Sequence, residues 1–321
     1  MNFNFKEFLS SLQRESRVKE CFCTSEECSP IIKKAHSIQN NRILRKISVD
    51  GHIIQLCPSF LDNKFSIDSK SIGRKIATVS TNFCDVHDTS IFLPIESKDY
   101  VKGNKEQEFL FAYRAFAKEY HVKREAKNVL ENANNSSKIT GNKLAPNLLG
   151  TDISLEQLER EKSIFNNSLI QREFGILATH VIELRHEYHI AASSAFVMEY
   201  DFKGNQINNL SNLDQDLKHS FLTIFPQKGK TFIIFSVFRK YRKDFSFIRK
   251  QIMNRRLDEQ KMIISNLLVT HIENFVISPK IWNQLSENEK EKIKITFQES
   301  IESFTNRLYR LKDINLFLEN K

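Results

Sequence analysis

Glycine and proline are scarce, at 8 and 6 in 321 residues. That argues against an all-β protein of many tight turns, because such turns draw on residues with positive or preset φ. No apolar run approaches the roughly 20 residues needed to span a bilayer, so no membrane partner is expected. The start, MNFNFKEFLSSLQRESRVKE, has the spacing of an amphipathic helix with acids in it. It lacks the apolar centre and small-residue cleavage site of a secretory leader. A cytoplasmic location is therefore expected, where thiols stay reduced. Cysteine is absent beyond position 84, and the five present, an odd number, fit poorly with a disulfide framework. No Gly-rich phosphate loop, GxSxG elbow or HExxH helix occurs either.

What the chain has in quantity is phenylalanine, 26 of them, ample material for a core. It also has 48 Lys and Arg against 39 Asp and Glu, a formal charge of +9. A basic surface favours polyanionic partners, since neutralising phosphates releases condensed counterions. Nucleic acid is the expected partner.

The cysteines at 21, 23, 28, 57 and 84 divide the chain. Residues 1–100 are expected to form a small Cys/His-bearing module of mixed short elements. In it, SIQNNRILRKIS (37–48) has helical spacing, Asp50-Gly51 marks a turn, and HIIQL (52–56) and KIATVST (75–81) read as strands. Residues 101–321 are expected to form a larger, mostly helical domain with a small antiparallel sheet. Phe109, Tyr113, Phe116 and Tyr120 share a helix face. A loop at 134–151 precedes a long helix capped by Thr151 or Asp152 and running to about 190. Strands are expected at 195–202, 219–225 and 231–238, the last two joined by the hairpin-like PQKGK. The C-terminal eighty residues return to helix, interrupted near Ser278-Pro279. The expected class is α+β.

A zinc site needs about four ligands, usually two close pairs that join distant segments. Cys84-x-x-His87 makes one pair. CFCTSEEC supplies the other: Cys21 with Cys28 is favoured because the loop between them is polar and can bulge outward, while Cys23 with Cys28 and the tighter Cys21 with Cys23 stay open. A purely structural zinc is the default, since so small a module needs a staple. Cys57 reads as a packed thiol. His36 is either a fourth ligand or a general base beside the metal.

The zinc pair, the histidine in AHSIQNN and then FCDVHD resemble the treble-clef arrangement of HNH-type (ββα-metal) nucleases. The pattern AHSIQN…DGHI…FCxxHDxxxFxxIE is also similar to uncharacterised bacterial proteins, some tied to phage defence. The resemblance covers residues 18–96. It implies that His36 activates water, that Asn40 or Asn41 supports it, and that His87 or Asp88 stands where that family binds catalytic Mg²⁺ or Mn²⁺. Ala35 departs from the pattern, which carries an acid or second His there. A partner protein from the same defence system is a further implication.

Two other stretches carry charge in clusters. FRKYRKDFSFIRKQIMNRR (238–256) holds eight Lys or Arg against Asp244 alone, among them Arg239, Lys240, Arg242, Lys243, Arg249 and Lys250. Tyr241, Phe245 and Phe247 are interleaved, so phosphate contacts and base stacking could coexist there. HVIELRHEYH (180–189), read as helix, would put Glu183, His186 and His189 on one face. The expected function is that of a zinc-containing nucleic-acid-acting protein. Two forms are open: an HNH-like metal-dependent nuclease in bacterial phage defence, and a non-catalytic zinc-stabilised module that binds nucleic acid or protein.

Overall fold

The computed structural model describes residues 5–25, 27–61, 64–136, 144–302 and 311–319. Helix α1 (Phe5–Glu15) lays Phe8 and Leu12 against Ala133. Strand β1 (Ile32–His36) follows, then a π-helical turn at Asn40–Leu44 that continues into the short α2 (Arg45–Ile47). These two turns together are the helix expected at 37–48. Strands β2 (His52–Leu61) and β3 (Lys64–Gly73) pair along their whole length. The expected strand at 75–81 begins later, as β4 (Val79–Cys84), because residues 74–78 turn and end on Thr78 at φ +58. β4 pairs antiparallel with β1, matching His36 to Val79 and Ile32 to Cys84. It runs straight into α3 (Asp85–Glu96).

Helix α4 (Lys105–Asn134) starts at an Asn104 cap, whose side chain accepts from the Gln107 N–H at 3.1 Å. Its first half is buried on nearly every side, which is why apolar residues there outnumber a single stripe. Helix α5 (Ala145–Gln171) starts earlier than the expected cap, on Pro146 in its first turn. Residues 137–143 of the expected loop lie outside the described residues.

The helix expected to reach 190 stops at Gln171. Arg172 closes it in the left-handed conformation, φ +56, a position usually taken by glycine. Beyond it LATHVIEL forms strand β5 (Leu177–Leu184), followed by β6 (Ile190–Val197), which replaces the strand expected at 195–202. Strands β7 (His219–Gln227) and β8 (Lys230–Phe238) lie where the apolar runs placed them. The C-terminal part comprises α6 (Leu257–His271), the short strand β9 (Phe275–Ile277), α7 (Pro279–Gln284) and α8 (Glu287–Glu302).

The result is a mixed α/β fold with a larger sheet than expected. Seven strands pair antiparallel in the order β3-β2-β9-β6-β7-β8-β5. Strands β2 and β3, from the first hundred residues, belong to it, so the sheet crosses the boundary expected near residue 100. Both faces are covered. On β7 and β8, Leu222, Ile224, Ile233, Phe235 and Val237 pack towards α6, α7 and α8. Their alternating neighbours Phe221, Phe225, Phe232, Ile234 and Phe238 pack towards α3, α4 and α5. Burial on both faces is what makes TFIIFSVF read as a continuous apolar run.

Aromatic rings tie the second layer to the sheet. Phe165 meets Phe109, Phe116, Phe221 and Phe238 with ring centroids 5.0 to 5.6 Å apart. Truncating it removes contacts from α5 to helix α4 and to two strands, β7 and β8, at once. Phe165→Ala is expected to lower stability by about 3–5 kcal/mol, read as a lower midpoint in urea unfolding.

Candidate metal centre

Four donors, Cys21, Cys28, Cys84 and His87, come together with their ligand atoms all within 4.8 Å of one another. Tetrahedral zinc–thiolate bonds of about 2.3 Å put neighbouring ligand atoms roughly 3.8 Å apart, so the group needs only slight contraction to close on an ion such as zinc. Two donors come from the β4–α3 junction. Cys84 ends β4 and caps α3, its sulfur accepting from the His87 N–H at 3.4 Å, and His87 sits in the helix's first turn.

The other two are delivered by backbone pairing. Glu20 and Phe22 donate their N–H groups to the Thr81 and Asn82 carbonyls, at 3.2 and 2.8 Å. Residues 20–22 therefore run beside β4, which sets Cys21 next to Cys84. Phe22 turns inward among Tyr113, Tyr120 and Phe116, with centroids 5.2 to 5.7 Å away. Cys23 is buried, beside Tyr113, and stands outside the donor group. Of the three pairings open from spacing, the fold brings together Cys21 with Cys28.

The His87 ring is oriented for ligation. Its Nδ1 faces the sulfurs of Cys21 and Cys84 at 3.2 and 3.3 Å, while Nε2 meets the Ser25 hydroxyl at 2.6 Å. A partner on the far nitrogen fixes the ring and its tautomer, as outer-shell groups do for metal-binding histidines. Burial holds the His87 imidazole below its ordinary pKa, hence neutral and able to ligate. Burial also pushes the Cys21 thiol well up, opposed by backbone hydrogen bonds from Cys84 and Cys23 and aided by the Cys84 sulfur. Cys84 goes the other way. Against the penalty of burial, hydrogen bonds from the His87 and Ser29 backbone and from the other two thiols hold it below the ordinary thiol value. Three thiols packed together favour a cation among them.

His36 is not in the donor group. It ends β1, half-buried, with Nε2 3.2 Å from the Arg74 carbonyl oxygen. It lines a small depression with Asp88, Ser80, Asn82, Phe92 and Arg114, too tight to admit a water molecule. Burial lowers the His36 pKa, opposed by the Arg74 carbonyl and by the Asp88 and Glu96 carboxylates. Burial raises that of Asp88, opposed by Arg114. Arg114 lies 4.1 Å above the Phe92 ring and pairs with Glu96 at 2.6 Å. Asn40 is elsewhere: its side-chain oxygen accepts from Arg74 at 2.6 Å and does not line this depression. Neither Ser25 nor Arg114 was singled out in the sequence, because their roles depend on contacts across 62 and 78 residues.

The remaining sequence candidates separate. Cys57 lies half-buried on β2. The segment 180–189 is strand and turn, so Glu183, His186 and His189 do not share a helix face. Glu183 is neutralised by Lys102 and Lys230, at 2.9 and 2.8 Å. In the run 238–256, Phe245 and Phe247 are buried in the core, which removes them as stacking platforms. Arg239 donates to the Gly175 and Leu177 carbonyls, and Lys240 lies over the Tyr241 ring. Arg242, Lys243, Arg249 and Lys250 are exposed. Among the described residues none of these four has an acid at ion-pair distance, and Asp244 is taken by Lys218 at 2.8 Å.

The chain matches no protein-family model, no curated protein and no solved structure.

Two outcomes test the metal centre. Metal analysis of the purified protein should give one zinc per chain, lost in Cys84→Ser and kept in Cys23→Ala. Ser25→Ala should keep the stoichiometry but weaken zinc affinity about tenfold or more, measured by competition with a chromogenic chelator.

Proposed function

We propose that the chain is a zinc-stapled nucleic-acid-binding protein, with its N-terminal part a treble-clef-like module. The order supports it: one donor pair, strand β1, an insertion that sends β2 and β3 into the large sheet, strand β4 paired back on β1, then a helix capped by Cys84 with His87 in its first turn. A closed set of four protein ligands leaves no open coordination position, which is the pattern of structural zinc.

The observation that carries nucleic acid as the partner is the uncompensated cation cluster of Arg242, Lys243, Arg249 and Lys250 on a chain of charge +9. Exposed like charges repel one another, and a polyanion relieves that repulsion while releasing its own counterions. With Phe245 and Phe247 in the core, this face offers charge and little stacking. Backbone recognition, tolerant of sequence, follows from that chemistry.

A second reading, HNH-like nuclease action in phage defence with a partner from the same system, is favoured by one observation. His36 and Asp88, 52 residues apart, meet in one depression beside the donor group. There His36 would take the proton from water and Asp88 would hold a Mg²⁺ or Mn²⁺ ion. Three facts place it second, the first being that the depression as it stands is too tight for the water this step needs. The Arg114 guanidinium lines the spot that ion would need, and among the described residues only the Cys/His group gathers three or more donors.

Binding is tested by fluorescence anisotropy with duplex DNA and duplex RNA across a salt series. Wild type should show log affinity falling linearly with log salt. Arg249→Glu with Lys250→Glu should bind at least tenfold more weakly, with a slope smaller by roughly 0.9 per lost DNA phosphate contact. Salt-independent or absent binding of both duplexes defeats the assignment.

The second reading is tested by cleavage with Mg²⁺ or Mn²⁺. Cleavage by wild type but not by folded His36→Ala promotes it to first place. Its pH profile would then carry a mark. A neutral base is required, and burial, aided by Arg114 and outweighing the Arg74 carbonyl and the Asp88 and Glu96 carboxylates, leaves the His36 pKa lowered, so the acid limb should fall below the ordinary imidazole value near about 6.5.

A further inference from the structure

The π-helical turn before α2, the C-terminal end of α3 and the β7–β8 hairpin enclose a cavity of about 310 Å³. Its floor is apolar, with Ile43, Ile95, Tyr100, Phe111 and Phe225, and its rim carries Arg42, Lys46, Lys98 and Lys228 against one acid, Asp99. Asp99 is shared: Arg42 holds one carboxylate oxygen and Lys228 the other, at 2.5 Å. Lys46 pairs with Glu187 at 2.6 Å. Lys98 is exposed and has no acid at ion-pair distance among the described residues. The rim is thus short of negative charge by more than one unit.

The backbone at Lys228 is an independent observation. Gln227 pairs with Lys230, and the two residues between them, Lys228 and Gly229, have φ of +48 and +77. That is a two-residue turn with positive φ at both positions, the setting in which Asn-Gly is preferred. A lysine takes the left-handed conformation at a cost that asparagine largely avoids. Here the strained residue is also the one whose ammonium reaches the cavity rim. Strain held at a point of contact is a pointer to use rather than to folding.

We propose that this cavity binds one phosphorylated nucleotide unit, its base on the apolar floor and its phosphate on Arg42, Lys98 and Lys228. The volume is at the lower end of small-ligand sites, and apolar walls with a few convergent polar groups are their usual lining. Guanidinium and ammonium groups together suit a phosphate, which replaces the Asp99 carboxylate on Arg42 and Lys228. Asp99 keeps both cations in position when no phosphate is bound.

The unit is either part of a strand or a free nucleotide; assigning it to a strand rests on the nucleic-acid reading above. The location fits a strand approaching the N-terminal module. Gln39 lines the cavity and donates to the Glu96 carbonyl at 2.8 Å, and Glu96 pairs with Arg114 beside His36 and Asp88. The cluster at 242–250 follows the other end of β8, roughly 27 Å away along a nine-residue strand. This is therefore a second contact surface.

The test uses the full-length chain, adenosine 5′-monophosphate by calorimetry and a short fluorescein-labelled oligothymidylate by anisotropy. Lys228→Asn is the informative variant, because asparagine suits the turn. It should melt at or above the wild-type temperature yet bind either probe about tenfold more weakly, equivalent to ~1.4 kcal/mol. Lys98→Glu should weaken binding at least as much. If wild type binds the strand and both variants bind it equally well, the cavity assignment falls and the nucleic-acid reading stands. If wild type binds the monophosphate, the variants do not, and the strand binds nowhere, the cavity takes a free nucleotide. Binding of neither probe by wild type overturns this inference, and the duplex titrations then decide the nucleic-acid reading separately.

Discussion

The packing of Phe22 is the contact on which the donor group, the β1–β4 pair and the helical layer all depend. Its ring lies edge-on to Phe83, Tyr113, Phe116 and Tyr120, and its carbonyl accepts from Asn166 of α5 at 3.2 Å. With the ring held inside, the N–H bonds of Glu20 and Phe22 to β4 hold Cys21 beside Cys84. Each aromatic pair adds about 0.5–1.5 kcal/mol beyond its buried area. A metal ion at this place would therefore close a site that side-chain packing has already drawn together, and its own binding energy would add to the stability of the same junction.

Charge follows a different logic from packing. Two buried ionisable groups are matched by a partner of opposite sign, Glu161 by His219 at 2.9 Å and Arg114 by Glu96 at 2.6 Å. Two groups of exposed cations, Lys98 with Lys228 and Arg242 with Lys243, Arg249 and Lys250, sit near the two ends of β8, where water carries the cost of their repulsion. The sheet between them is covered on both faces, so it serves as a rigid spacer that fixes the separation of two basic surfaces.

Parts of this were legible in the sequence, and for identifiable reasons. Clustering of Cys21, Cys28, Cys84 and His87 in spacing alone anticipates the donor group, because ligand pairs within one turn or knuckle are local features. TFIIFSVF and HSFLTIF announce strands for the same reason. The helix misread across LATHVIEL shows the limit. Arg172 ends α5 in a conformation that glycine usually marks, so the local signal for the stop is missing. The run at 238–256 shows another. Its aromatics and cations alternate as a stacking surface would, yet the core claims Phe245 and Phe247 and leaves only the charges outside.

Local spacing, then, determined the candidate donors, the apolar strands and the basic character of this protein, since each is written in neighbouring residues. Tertiary structure alone decided that β2 and β3 join the large sheet, that Cys23 turns to Tyr113 rather than to the donor group, and that Ser25 braces His87. It also decided that Arg42, Lys98 and Lys228 share one rim, although 130 residues separate the last two. Those outcomes depend on which buried surfaces meet, and such contacts are set by the packing of whole layers, which no short window of sequence contains.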